Sequence, residues 1–316
     1  MSAAGGRGER PSAPTVNGIL NVNKPTGPTS FDIIRLVRKG TGIRKAGHAG
    51  TLDPMASGVL LVLLGQAARI SEYLMDLPKT YRAVVRLGVS TDTYDAEGAP
   101  THEARLVEVT QTEVDAALET FVGEIEQTPP AYSAIKVNGQ TAHRLARKGA
   151  AVALAPRPTR IDRIGLLRFE PPDVEIDVGC GKGTYIRSLA HDLGQALGCG
   201  AHLAALVRTR VGPFSVESAM DIPGLEHAFE SGEWRGSVLS MDCGLTQLPA
   251  IKLHIEEEED IRHGQAVRIG DDRLGFVPLM DGGQYRAYAE DGGLVGIIRY
   301  EAEAGLWRPR KVFGPT

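Results

Sequence analysis

Cysteine is scarce in this sequence. Cys180, Cys199 and Cys243 stand at wide, irregular spacing, and an odd set of this kind makes neither a disulfide framework nor a zinc site. Reduced thiols are the expectation. Long apolar runs are missing too. The longest, residues 59–64, is strand-sized and far too short to span a membrane as a helix. Residues 1–16 lack the apolar centre of a secretory signal, and their Gly, Ser, Pro and Arg content reads as a disordered tail. These absences predict a cytoplasmic location and no membrane partner. The sequence holds no HExxH, CxxC or GxSxG. His48, His143, His191 and His202 show no ligand-like spacing, so no metal is expected. GCGKGT at residues 179–184 lacks the Gly-Lys-Ser/Thr ending of a nucleotide phosphate loop, because Gly183 follows Lys182.

What is present is an ordinary globular balance, with 42% hydrophobic and 23% charged residues over 316 positions. That length exceeds a domain of ~100–200 residues and predicts two. The net charge of −4 argues weakly against a nucleic-acid partner, but distribution matters more than the sum. Residues 135–170 carry eight Lys/Arg against two acids, Arg35, Arg38, Lys39, Arg44 and Lys45 crowd together, and Arg308, Arg310 and Lys311 sit near the C-terminus. A single run of this kind reads most simply as a solvated face. Three of them in an acidic protein make a phosphate-binding face reasonable.

The hydrophobic pattern predicts an α+β fold. Residues 17–23 read as a strand, residues 30–39 as a helix capped by Ser30 and stopped by Gly40, and residues 41–58 as a Gly-rich loop. A buried strand is expected at 59–64, a helix at 67–77, a strand at 81–89 and a turn at 92–98. Thr110 and Glu113 make a capping box for a helix that stops at Gly123. Residues 131–137 read as a strand and Asn138-Gly139 as a turn. The strand at 174–179 runs through a glycine loop into a helix with Ile186, Leu189, Ala190, Leu193 and Leu197 inward. After about Pro249 short strands alternate with Asp-Gly turns, and residues 285–289 and 294–300 read as a hairpin. The expected organisation is a mixed-sheet domain over residues 17–248 and a small β-rich domain over residues 249–316.

The segment most suggestive of chemistry is GHAGTLDPMASGVL, residues 47–60. Its glycines permit tight turns and close approach to a ligand, and Pro54 biases Asp53 to an extended conformation. A carboxylate held rigidly before a buried strand suits catalysis. An Asp-Pro turn, with Asp53 capping a backbone amide, is the plainer reading of the same residues.

Residues 47–70, GHAGTLDPMASGVLLVLLGQAARI, resemble the catalytic motif of the TruB family of bacterial tRNA pseudouridine synthases. The resemblance extends to NVNKPTGPTS at 21–30, KTYRAVVRLGVSTDTYDAEG at 79–98, PPAYSAIKVNG at 129–139 and the long block from Cys180 to Phe214. These blocks occur in the family's order and cover residues 18–215. The C-terminal region is similar, more weakly, to the small RNA-binding PUA domain. Two departures concern local RNA contacts: His143 stands where the family often has Tyr, and Val207 interrupts its usual Leu-Arg-Arg.

The resemblance implies isomerisation of uridine to pseudouridine at position 55 in the TΨC loop of tRNA, with no cofactor. Asp53 would be the nucleophile or a ribose-directed base. Arg187 would pair with it, keep it charged and fix its direction through a two-pronged hydrogen bond. The target base must be flipped out of the loop. Tyr81 would stack on the flipped uracil, Leu206 would close its other face and Tyr185 would line the pocket. His48 would occupy the space the base leaves, and Lys24 would be structural or contact phosphate. Taken singly, each of these residues reads as ordinary core or surface. No protein partner is implied, and a monomer is expected. Two other classes remain open, an RNA-binding or RNA-folding protein without chemistry, and a carboxylate glycosidase releasing free base.

Overall fold

The computed structural model describes residues 16–103, 109–133, 135–137, 139–146, 154–270 and 279–314. Strand β1 (Gly18–Lys24) leads into helix α1 (Ser30–Thr41). The N-cap is Thr29 rather than Ser30. Thr29 and Asp32 form a reciprocal capping box, and the helix runs past Gly40 to end at Gly42 in the left-handed region. Strand β2 (Ala46–Ala49) lies within the stretch expected to be loop, and β3 (Ala56–Leu64) starts ahead of its apolar run. A 3-10 turn at Gly65–Ile70 and helix α2 (Ser71–Asp76) replace the single helix expected at 67–77. β4 (Lys79–Leu87) follows, then β5 (Val89–Thr91) and β6 (Pro100–Glu103), which pair across the turn that holds Asp95.

Helix α3 (Gln111–Glu119) opens on the expected capping box of Thr110 and Glu113. β7 (Gly123–Gln127) comes next. Of the strand expected at 131–137, the structure shows β8 (Lys136–Val137), paired with β9 (Gln140–Thr141) ahead of α4 (Ala142–Ala146). Asn138 lies outside the described residues. β10 (Arg157–Glu170) and β11 (Asp173–Cys180) form a long hairpin that leads to α5 (Ile186–Ala196) and β12 (Ala201–Val211). β13 (Phe214–Ser215) and α6 (Ile222–Ser231) complete the larger part.

Nine of these strands form one mixed sheet in the order β1-β3-β12-β4-β11-β10-β7, with β2 on β3 and β13 on β12. β3 shows why its sequence is continuously apolar. Ala56, Leu60, Val62 and Leu64 face the cluster that includes Ile33, Ile34 and Val37 of α1, Leu189 and Leu193 of α5 and Val114 of α3. Val59, Leu61 and Leu63 face the opposite cluster, with Ile70, Leu74, Leu77 and Phe214. A strand buried on both faces needs apolar residues at every position. β4 is buried on one face only, so Tyr81, Ala83, Val85 and Leu87 alternate with the exposed Arg82 and Arg86.

The exposed face of β4, β11 and β10 is laced with ion pairs. Arg86 grips Asp173 with two bonds of 2.8 Å, Arg168 reaches Glu170 and Glu175, and Arg163 meets Asp177. Arg160 pairs with Asp162, Arg35 with Asp32, Arg308 with Glu301 and Lys311 with Glu72. Arg35, Arg160, Arg163, Arg168, Arg308 and Lys311 of the three basic stretches are thus paired with protein carboxylates.

The C-terminal part has its own four-stranded sheet. β14 (Ala250–Lys252), β15 (Gln284–Tyr288), β16 (Leu294–Glu301) and β17 (Leu306–Val312) lie in that order, and helix α7 (Ile255–Arg262) packs against β16 and β17. The expected hairpin is β15–β16. Its core is built on Trp307, which lies edge-on to Tyr285 with ring centroids 4.8 Å apart. The sheet is tied to the larger part. Ile297 and Phe313 are wholly buried in the cluster of Leu61, Leu63 and Leu74, Lys311 reaches Glu72 at 2.7 Å, and Tyr73 bonds Gln284. Phe313→Ala should therefore destabilise both parts together, by ~3–5 kcal/mol for a buried Phe truncation. A single cooperative loss in urea denaturation is the expected result, and an unchanged midpoint would contradict it.

Candidate active site

Residues 50–54, between β2 and β3, are fastened from three sides. The Ser30 hydroxyl, freed from capping, accepts from Leu52 N–H at 2.9 Å and donates to Leu52 C=O at 3.0 Å. Lys24 is wholly buried, and its ammonium donates to the carbonyls of Pro25 (2.8 Å), Pro28 (2.9 Å) and Pro54 (3.4 Å). Arg208 is 2% exposed and donates to Val59 C=O (2.8 Å), Gly50 C=O (3.1 Å) and Thr51 C=O (3.4 Å). Gly58, at φ 103°, makes room for this arrangement. A Cβ there would stand 2.2 Å from the Arg208 carbonyl, so only glycine lets β3 approach β12. Buried donors and acceptors need partners, and here they satisfy one another across the loop.

Of the two roles expected for Lys24, this geometry fits the structural one. Its ammonium is enclosed and donates to three carbonyls. Burial lowers its pKa to about 8, against the opposing pull of Asp53.

Asp53 projects from this loop with its side chain 38% exposed. Arg187, in the first turn of α5 and only 7% exposed, places Nη2 2.9 Å from Asp53 Oδ2. The expected pair is present, but not as a two-pronged grip. Nη1 instead meets Asp95 Oδ2 at 3.3 Å and Thr93 C=O at 3.4 Å, while Nη2 also donates to Tyr132 C=O at 3.0 Å. The guanidinium therefore bridges two carboxylates, one open to solvent and one, Asp95, 5% exposed. Asp95 Oδ1 accepts from the Thr93 hydroxyl (2.5 Å) and Glu97 N–H (3.1 Å). Ion pairs that bury this much charge hold only when their remaining lone pairs are satisfied, and these are.

β12 gathers the other candidates. It stands between β3 and β4, so Leu206 pairs with Ala56 on one side and Ala83 on the other, and Arg208 with Gly58 and Tyr81. Tyr81 and Leu206 are buried at 9% and 7%. Burial raises the Tyr81 pKa, and the nearby Arg208 opposes the shift. Tyr185 precedes α5 and is partly buried, with its main chain clasped by Gln127 at 2.8 and 3.0 Å. Burial raises its pKa too, and the charges of Arg187 and Asp53 both act on it. His48 lies on β2, partly buried, with Nδ1 lacking a hydrogen-bond partner. Burial lowers its pKa, and Arg208 lowers it further. Asp53, Arg187, Tyr81, Tyr185 and Leu206 thus share one neighbourhood around the start of β3, with His48 on the adjoining strand. His143 has no described side chain.

Sequence reasoning assigned no role to Asp95 or Arg208. Both lie in the blocks singled out above, but nothing local marks them. Asp95 is 92 residues from its arginine, and Arg208 sits on a strand whose mixed composition hides it. The described residues contain no group of three or more His, Cys, Asp or Glu able to hold a metal.

Asp192, also on α5, provides a test of the helix's environment. Burial raises its pKa to about 6. The folded state then binds more protons than the unfolded state between pH ~4 and ~6. This stability is full below the unfolded pKa and is lost as pH rises through about 6. Asp192→Asn should therefore stabilise at pH 8, by on the order of 1 kcal/mol after solvent screening, and have little effect near pH 4. Equal effects in urea titrations at the two pH values would refute this.

The fold and its known relatives place the chain in the pseudouridylate synthase class of isomerases. A solved Cbf5-Nop10-Gar1 complex matches the chain with a TM-score of 0.73 and 29% identity, covering 94% of this chain and 85% of that one. Residues 38–186 match the TruB family pseudouridylate synthase N-terminal domain, and residues 187–245 the tRNA pseudouridylate synthase B C-terminal domain. The tRNA pseudouridine synthase B of Thiobacillus denitrificans is 42% identical over 303 residues, 96% of this chain and 98% of the relative. That of Dehalococcoides mccartyi is 41% identical over 298 residues, 94% and 97% of the respective chains. The chain belongs to the TruB family. No helix among the described residues is long and apolar enough to cross a membrane.

Proposed function

We propose that this protein isomerises uridine 55 in the TΨC loop of tRNA to pseudouridine, with Asp53 as the essential carboxylate. The observation that carries the reading is the asymmetry of the Arg187 bridge. One carboxylate, Asp95, is sealed in as an anchor, while the other, Asp53, is held by the same guanidinium yet remains open to solvent. A protein that only bound RNA would have no use for one rigid, accessible carboxylate facing a buried tyrosine. In the reaction the glycosidic bond breaks, the uracil turns, and its carbon 5 joins the ribose. The hydrogen lost from carbon 5 is balanced by one gained at the released ring nitrogen, so no redox partner or cofactor is required.

Base flipping costs a few kcal/mol. Stacking on Tyr81, worth ~1–3 kcal/mol per base, would offset it. Leu206 would close the opposite face and Tyr185 the side. Tyr81 is sealed in this structure, so the incoming base must displace its present cover. His48, on the strand beside the loop, would fill the place the base vacates. The C-terminal sheet, residues 249–316 with its linker, would serve as a PUA-like second RNA contact.

The decisive experiment incubates the protein with unmodified tRNA transcript and maps pseudouridine by chemical probing. A single modified position, 55, lost when that uridine is replaced by cytidine, is the expected result. Binding without product would favour an RNA-folding protein. Release of free uracil would favour a glycosidase.

A further inference from the structure

Among the described residues Tyr94 is the one non-glycine residue with positive φ, at 63°. A side chain with a Cβ rarely adopts this conformation, and a bulky aromatic less often still. Residues in such conformations persist where their surroundings over-determine them, and they cluster at functional sites. Here the surroundings can be named. Tyr94 N–H donates to Thr91 C=O at 3.3 Å, and Tyr94 C=O accepts from Leu203 N–H at 3.0 Å. The ring then lies flat on the imidazole of His191, with centroids 3.9 Å apart and planes at 14°. His191 Nδ1 is buried without a hydrogen-bond partner, so its described contact is through the ring face.

The two rings sit beside the Arg187 bridge on both of its chains. His191 follows Arg187 by one helical turn of α5, an i, i+4 spacing that puts them on one face. Tyr94 immediately precedes Asp95, which binds Arg187 at 3.3 Å. The turn and the helix are thus joined twice, by the Asp95–Arg187 ion pair on one side and by the Tyr94–His191 stack on the other. We propose that the Tyr94–His191 stack is a positioning clamp for the reaction: it fixes the turn so that Asp95 holds Arg187, and Arg187 holds Asp53, in the reactive direction. The strained φ is what aims Asp95 inward, and the stack is what keeps that φ. The clamp rests on the reading of Asp53 given above.

The test uses the full-length protein and measures single-turnover pseudouridine formation with enzyme in excess, beside tRNA affinity. Tyr94→Gly is the informative variant, because glycine accepts φ 63° without strain and the fold should survive. Its rate should fall about tenfold or more with Kd unchanged, as misplacement of reacting groups is costly. Tyr94→Phe, which keeps the stacking ring, should restore the wild-type rate. His191→Ala should fall like Tyr94→Gly, and the double variant no further, because both remove the same contact. His191→Phe should recover most of the rate. Wild-type rates in both Tyr94→Gly and His191→Ala would overturn the clamp while leaving the Asp53 reading intact. Additive losses would overturn it as well. If the wild-type protein itself forms no pseudouridine, the Asp53 reading fails and the clamp fails with it.

Discussion

Asp53→Asn should abolish pseudouridine formation while leaving tRNA affinity within roughly tenfold, about 1.4 kcal/mol. The substitution is nearly isosteric, so the loop should keep its shape. Its attachments are made by other residues: Ser30 holds Leu52, Lys24 holds Pro54, and Arg208 holds Gly50 and Thr51. Beyond the ion pair of its carboxylate with Arg187 at 2.9 Å, Asp53 contributes its main-chain carbonyl, which accepts from Ala56 N–H at 3.1 Å. What the variant loses is the negative charge that acts on the nucleotide. Affinity should survive because phosphate contacts by cationic side chains supply most of it, and Asp53 is an anion. Near wild-type activity in a folded Asp53→Asn protein would end the assignment. A large loss of affinity would mean that Asp53 is needed to shape the bound RNA rather than to react with it.

The parts of this molecule that were legible in the sequence are those where local pattern and tertiary environment agree. β3 is apolar at successive positions because both its faces are covered, and the capping box of α3 stands where Thr110 and Glu113 are three apart. The helix carrying Arg187 showed its buried stripe in the spacing of Ile186, Leu189, Ala190 and Leu193. Where the two levels part, the reading slipped. Thr29 and Ser30 can both cap by chemistry, and the choice falls to Thr29 because Asp32 reciprocates its bond while Leu52 engages the Ser30 hydroxyl. β10 reads as a basic run because it lies near the sheet margin with most side chains exposed, and Arg163 and Arg168 are matched by acids on β11 that local sequence does not reveal. β2 is a strand because the edge of β3 needs a partner, not because Ala-Gly-His-Ala prefers one.

The same division runs through the site. Asp53 was found through the ordered family motifs around it, since an Asp-Pro turn is commonplace. Arg208 was missed because an arginine is by default a surface residue, and only the fold shows that three carbonyls replace its water. Asp95 was missed because a buried carboxylate is recognisable only with its cation, and that cation lies on a distant helix. Once Asp95 is included, Arg187 changes meaning. It is not a clip on one aspartate but a spacer between two.

That spacer makes Arg187→Lys the sharpest test of orientation against charge, and the variant should lose ~100-fold or more in single-turnover rate. The guanidinium serves four acceptors from two nitrogens: Asp53 Oδ2 and Tyr132 C=O from Nη2, Asp95 Oδ2 and Thr93 C=O from Nη1. A lysine offers one nitrogen at shorter reach and no fixed fork. It can sit with Asp95 or with Asp53, but it cannot span both. Burial decides which. Asp95 is 5% exposed and cannot be left without a cation, whereas Asp53 is 38% exposed and water can solvate it. The ammonium should therefore stay with Asp95, the fold should hold, and Asp53 should swing free of its direction. Arg187→Ala supplies the contrast. It strands Asp95 without a cation and should cost ~3–5 kcal/mol of stability, the usual penalty for halving a buried pair. The expected pattern is thus a folded but nearly inactive Lys variant beside an Ala variant that is both inactive and unstable. Circular dichroism, urea midpoints and tRNA affinity separate the two. A folded Arg187→Lys enzyme turning over at close to the wild-type rate would show that positive charge alone suffices there, and that the bridge between the carboxylates has no part in aiming Asp53.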